Sequence, residues 1–199
     1  MIAKRFLALA AVSALALSAC SSNAAPTDAD CAKAEVLCVG LVTDLGKVDD
    51  KSFNQSAWEG AKAAAEEAGG ISKYVETVDT KDYAANIKQF TDKSYDVIVT
   101  VGFLMADATV AAAKANPNTK FIGVDQFQGE TVDNLTGLIF PEDQAGYAAG
   151  YLAGLMTKTN KLGQVLGLEI PPVQKFAKGF EAGALAANPA VTEIGRAHV

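Results

Sequence analysis

From Val39 to Ala64 the chain reads VGLVTDLGKVDDKSFNQSAWEGAKAA, an apolar strand joined to an Ala-rich helix by a short, crowded connection. Three side chains there have types suited to holding a small molecule. Asp44 leaves the strand and can accept hydrogen bonds from hydroxyls or amines. Phe53 offers a flat face for a planar ring, and Asn54 both donates and accepts, which suits the edge of a heterocycle. Both fall in a helix's first turn, where unpaired N–H groups and the positive dipole end would point into a crevice. A plainer reading stays open beside this one: Ser52 as a cap, Phe53 as a core anchor, Asn54 as a solvated polar residue. Lys47 and Lys51 read as solvated, or as screening the Asp49-Asp50 pair. Phosphate is a poor candidate, because the loop lacks glycine-rich phosphate patterns and its acids repel anions.

The elements that must position these residues alternate. Apolar or β-branched runs at residues 36–42, 74–78, 96–101, 121–124, 135–140 and 162–168 predict strands. Helical spacing predicts helices over 52–68, 83–91, 106–115, 145–156 and 173–187. Gly69-Gly70 stops the first of these and Asn116-Pro117 the third. Strand–helix alternation argues for an α/β fold with a parallel sheet and right-handed crossovers. Ligands in such folds lie outside the carboxyl ends of the strands, at the topological switch point. The strand exits here carry Thr43-Asp44, Val101-Gly102-Phe103 and Val124-Asp125-Gln126, so the unusual residues gather on one edge. Asp125 stands out, since an acid buried at a strand exit without a partner is costly. Trp58 and the Tyr147/Tyr151 pair read as packing residues.

Both chain ends differ from this pattern. Lys4 and Arg5 precede an uncharged apolar run, Phe6 to Leu17, too short for a membrane span. Leu17-Ser18-Ala19-Cys20 resembles a bacterial lipobox, which predicts a signal peptide at 1–19, lipidation of Cys20 and a tether over 20–35. The mature protein is then expected on the extracytoplasmic face of the cell membrane, held by lipid. At the other end, EIGRAHV matches an in-frame translation of a common sequencing-library adapter, so 193–199 are expected to be a non-native tail that includes His198. With 17 basic and 23 acidic residues the chain is acidic, which excludes an electrostatic nucleic-acid footprint. Cys31 and Cys38 allow either a small disulfide or a buried thiol. Two thiols with no His nearby do not make a zinc site, and no cofactor is expected.

The motif VGLVTDLGKVDDKSFNQSAWEGAK resembles the opening signature of the basic membrane protein (PnrA-like) family, substrate-binding lipoproteins of ABC transporters. The similarity continues through YDVIVTVGFLMADAT, KFIGVDQ, NLTGLIFPEDQAGYAAGYLAG and GQVLGLEIPPVQKFAKGFEAGA. The resemblance implies a type I periplasmic-binding-protein fold: two doubly wound parallel-sheet lobes that close over a purine nucleoside for delivery to an ABC permease. On this numbering it implies a first lobe at 36–140 and the start of a second, truncated lobe at 141–192. It implies that Asp44 and Asn54 contact the ligand and that Phe53 stacks on the base. Asp125 would bind ribose hydroxyls, Gly102 would admit the ligand to the backbone, and Phe176 would cover the other base face. LGLEIPP departs from the commoner Gly-Gly form, with Glu169 unusual there. The alternative function is the same architecture holding a sugar or signalling molecule. An enzyme is not expected, for want of a nucleophile–base set.

Overall fold

The computed structural model describes residues 25–198. The expected signal peptide and Cys20 lie outside the described residues. The chain divides into two units, Met1–Thr136 and Gly137–Val199.

The first unit contains β1 (Cys38–Leu45), α1 (Phe53–Glu67), β2 (Ile71–Thr77), α2 (Tyr83–Thr91), β3 (Val97–Val101), α3 (Ala106–Ala115) and β4 (Lys120–Val124). β5 (Leu135–Leu138) straddles the division and completes a five-stranded sheet in the order β2-β1-β3-β4-β5. β1 pairs in parallel with both β2 and β3, and β3 with β4. This is a doubly wound order whose direction reverses between β1 and β3, and in such sheets ligands bind outside the strand exits at that switch point.

The apolar run of β1 is continuous because both its faces are buried. Successive side chains alternate. Cys38 and Val42 pack with Tyr83, Ile87 and Phe90 of α2, with Ile98 of β3 and with Met105 and Ala113. Val39 and Leu41 pack with Ala61 and Ala65 of α1 and with Val99, Val101 and Val124. Gly40 leaves room for a ring: a Cβ there would lie 2.6 Å from Phe90 Cγ.

Residues 28–35, read from the sequence as the end of a tether, are instead pinned to the entry edge of the sheet. Asp28 meets Lys73 Nζ at 2.7 Å, Lys93 Nζ at 2.9 Å and Tyr95 Oη at 3.0 Å. Those partners, Lys73 first, hold its carboxyl down to about 2. Cys31 and Cys38 form a disulfide with Cα atoms 5.5 Å apart, which resolves the two options left by their spacing.

The second unit contains α4 (Glu142–Met156), β6 (Lys161–Leu166), α5 (Pro171–Ala187) and β7 (Glu193–His198). α4 and α5 touch through glycines on one stripe of each. A Cβ on Gly146, Gly150 or Gly154 would lie 1.9–2.5 Å from the carbonyl oxygens of Phe176, Phe180 and Ala184. Gly179 and Gly183 approach the carbonyls of Asp143 and Tyr147 in the same way. The segment expected as a non-native tail forms β7 and pairs in parallel with β6. Ladder bonds run through the main chain and make few demands on side-chain identity, so a segment of any origin can fill this position.

Candidate ligand site at the strand exits

The connection from β1 to α1 uses most of its polar chemistry to hold itself. Thr43 Oγ1 accepts from Thr77 N at 3.0 Å, and Glu76 Oε1 accepts from Val48 N at 2.9 Å. Lys47, read as solvated or as screening the Asp49-Asp50 pair, is largely exposed and reaches Glu76 Oε2 at 2.8 Å. That ammonium and the Val48 N–H lower the Glu76 carboxyl, and Glu76 in turn raises Lys47.

Ser52 occupies the N-cap of α1, but its side chain makes no cap bond. Asp50 does the capping: its carboxylate accepts from the N–H groups of Ser52 (2.8 Å), Asn54 (3.1 Å) and Gln55 (3.1 Å). Burial acts to raise the Asp50 carboxyl, but the three donors outweigh it and the net shift is downward. The expectation of an open helix N-terminus is therefore corrected, since an internal carboxylate already meets it.

Asn54 is buried, 3% exposed, and works inside the loop. Its Oδ1 accepts from Asp44 N at 3.2 Å and its Nδ2 donates to Lys47 O at 3.2 Å. It braces the backbone on both sides of the connection. Phe53, the first residue of α1, is 45% exposed, so the core-anchor reading does not describe it.

Asp44 sits half-buried at the exit of β1. Its Oδ1 accepts from Leu45 N at 2.7 Å and from the Tyr83 hydroxyl. Burial first, then the carboxylate, pushes the Tyr83 phenol well above its ordinary range. Gly102, at the exit of β3, has φ +98°, a conformation that side chains rarely adopt. A Cβ on it would fall 2.0 Å from Asp44 Oδ2, so these two candidate residues are direct neighbours.

The same edge continues to β4. Gly102 N donates to Val124 O at 2.9 Å. Asp125 follows, half-buried, with φ +59°, a backbone state that turns the chain sharply at the strand exit. Gln126 is fully buried and was missed by sequence reasoning. Its Nε2 donates to Gly102 O (3.1 Å) and lies 3.2 Å from Thr100 Oγ1 and 3.4 Å from Thr100 O. Gly123 makes space for it, since a Cβ there would meet Gln126 Oε1 at 2.4 Å. Asp44, Asn54, Gly102 and Asp125 thus share one edge, with Phe53 beside Asn54. Phe176 belongs to the other unit, near the start of α5, and is 44% exposed. Among the described residues no group of three or more His, Cys, Asp or Glu is placed to hold a metal.

A family model described as ABC transporter substrate-binding protein PnrA-like matches residues 38–194. The chain belongs to this family. It is 36% identical over 188 residues to the ABC transporter nucleoside-binding protein BmpA of Lactococcus lactis subsp. cremoris (strain MG1363), covering 91% of this chain and 53% of that protein. Basic membrane protein A of Borreliella burgdorferi is 33% identical over 156 residues, covering 77% of this chain and 45% of that protein. The chain spans about half the length of the curated relatives it matches. Among solved structures, an ABC transporter system solute-binding protein from Aeropyrum pernix K1 is similar with TM-score 0.73 and 28% identity, over 81% of this chain and 47% of that one. A solute-binding protein from Mycobacterium smegmatis shares the fold at TM-score 0.64 and 18% identity, over 80% of this chain and 55% of that one. The PnrA-like family is one of substrate-binding proteins of ABC transporters, and its fold is α/β with a parallel sheet.

Proposed function

We propose that this PnrA-like chain is the ligand-capturing part of an extracytoplasmic lipoprotein that binds a purine nucleoside and delivers it to an ABC permease. One observation carries the reading: Asp44, Gly102 and Asp125 stand on adjacent strand exits at the switch point, beside the exposed ring of Phe53. Two carboxylates suit the donors of a base and a sugar, and the ring suits a heterocycle's face. The Lactococcus relative, named as nucleoside-binding, supports the same ligand class. Asp125 takes the ribose hydroxyls, Phe53 stacks on the base, and Gly102 leaves the backbone approachable. Asn54 contributes by bracing Asp44. Phe176 supplies a second aromatic face in the complete protein. Anchoring through Cys20 belongs to this proposal. The Cys31–Cys38 disulfide supports it, because such bonds persist in oxidising compartments. Among the described residues no helix is long and apolar enough to cross a membrane.

The test is calorimetric titration of the complete protein with adenosine, guanosine, inosine, cytidine and ribose. Purine nucleosides should bind. Phe53→Ala should weaken them by about tenfold or more, the worth of a base–aromatic stack, and Asp125→Ala by a similar factor. Absence of heat from every nucleoside overturns the ligand class. Labelling with a radioactive fatty acid, lost in Cys20→Ala, tests the anchor.

A further inference from the structure

Tyr83 opens α2, nearly forty residues beyond the β1 exit, and its ring is buried at 5% exposure. Its hydroxyl nevertheless reaches Asp44. Among the described residues, the Tyr83 hydroxyl and the Leu45 N–H both donate to Oδ1 of Asp44. Oδ2 lies instead against the bare Cα of Gly102, in space that any side chain at that position would fill. Without such a hold, a carboxylate at a strand exit turns easily about its last torsion, which is broad and two-fold. A donor on a separate, packed element removes that freedom before a ligand arrives, and order established in advance favours affinity.

From this geometry we infer that Tyr83 is a positioning residue, which holds Oδ1 of Asp44 so that Oδ2 is the oxygen offered to the ligand's donor. The inference deepens the proposed function and takes its ligand from that reading, but the pair itself is independent of which ligand binds. The phenol, raised by burial and by Asp44, stays a donor throughout the neutral range. Gly102 is the complement of this arrangement, since only a residue without Cβ makes room for the carboxylate to lie there with its Oδ2.

Tyr83→Phe keeps the buried ring and removes the donor. In the complete protein it should weaken the best-binding purine nucleoside by about two- to tenfold, the cost of ordering the freed carboxylate on binding, and lower the thermal midpoint by roughly a few degrees, since the lost bond also holds the ligand-free protein. In an Asp44→Ala background the same change should cost nothing further, because Tyr83 acts through Asp44. An equal loss in both backgrounds, or no loss in either, overturns the inference. A second readout needs no ligand. Spectrophotometric titration of the phenols in the wild type and in Asp44→Ala, each set against its Tyr83→Phe counterpart, isolates the Tyr83 ionisation. Removal of Asp44 should bring that ionisation to lower pH, and an unchanged titration overturns the pair. A wild type that binds no nucleoside while this titration shifts strikes the ligand reading alone and upholds the pair.

Discussion

In the first unit the hollow over Gly40 is filled by the ring of Phe90, whereas in the second the hollow over Gly150 is filled by the Phe180 carbonyl. A ring at the end of a rotatable side chain can shift when its neighbour changes. A carbonyl inside a helix cannot move without moving the helix. The first unit interlocks side chains across two buried sheet faces, with Cys38 and Val42 on one and Val39 and Leu41 on the other. The second brings two backbones together along a glycine stripe and leaves large apolar groups outside, among them Tyr147, Tyr151, Leu152, Leu155 and Met156. In one unit a change at the glycine is met by a neighbouring side chain, in the other by a neighbouring backbone.

The largest effect is expected from Phe90→Ala, at about 4 kcal/mol by urea unfolding, from lost burial and the cavity left behind. Adding Gly40→Ala should then cost little, because the new methyl enters the vacated space. Gly40→Ala alone should destabilise clearly. If the two changes simply add, the side-chain account of the first unit is broken. Gly150→Ala should cost about 2 kcal/mol from one methyl group, with hydrogen exchange accelerating in α4 and α5 while β1 and β3 keep their protection. A neutral Gly150→Ala would break the other half of the comparison.

Gln126→Ala should cost somewhat less, about 1.5 kcal/mol, by leaving the buried carbonyls of Thr100 and Gly102 without their side-chain donor. If the proposed function holds, nucleoside affinity should fall with it, since Gly102 loses its brace. The smallest effect is electrostatic. The Asp28 carboxyl is lowered from 3.8 to about 2 on folding, so its contribution is complete above pH 4 and fades as pH falls through 2. Against Asp28→Asn, the thermal midpoint of the wild type should lose its advantage across that window. The difference should stay below about 1 kcal/mol because the ion pairs are near the surface.

Much of the first unit was legible because its periods are local. The double-sided burial of β1 shows as an unbroken apolar run, and Gly69-Gly70 marks the end of α1 within two residues. Boundaries shifted where pairing carried strands beyond their apolar runs. Leu45 extends β1 by pairing with Thr77 past an irregularity after Val42, and β2 begins at Ile71, whose N–H bonds Leu37 O. The candidate residues at the strand exits were legible because the switch-point rule depends only on element order. Tyr83 and Gln126 were not. Their importance lies in partners 39 and 26 or fewer positions away, and nothing in local spacing distinguishes either from an ordinary core residue. Ser52 misled for a related reason. Its type suits a cap, but Asp50 sits two residues earlier with a longer reach and takes three N–H groups at once.

The clamp at the entry edge also sets how the molecule answers a pull. A strand tugged from its own end is torn from its neighbours one bond at a time. Here force applied at Thr27 divides before it reaches β1. Part passes through the Asp28 contacts to Lys73 in β2 and to Lys93 and Tyr95 ahead of β3, and part through the disulfide to Cys38. Three neighbouring strands therefore take up the load together, at the end of the sheet opposite the exits that carry Asp44 and Gly102.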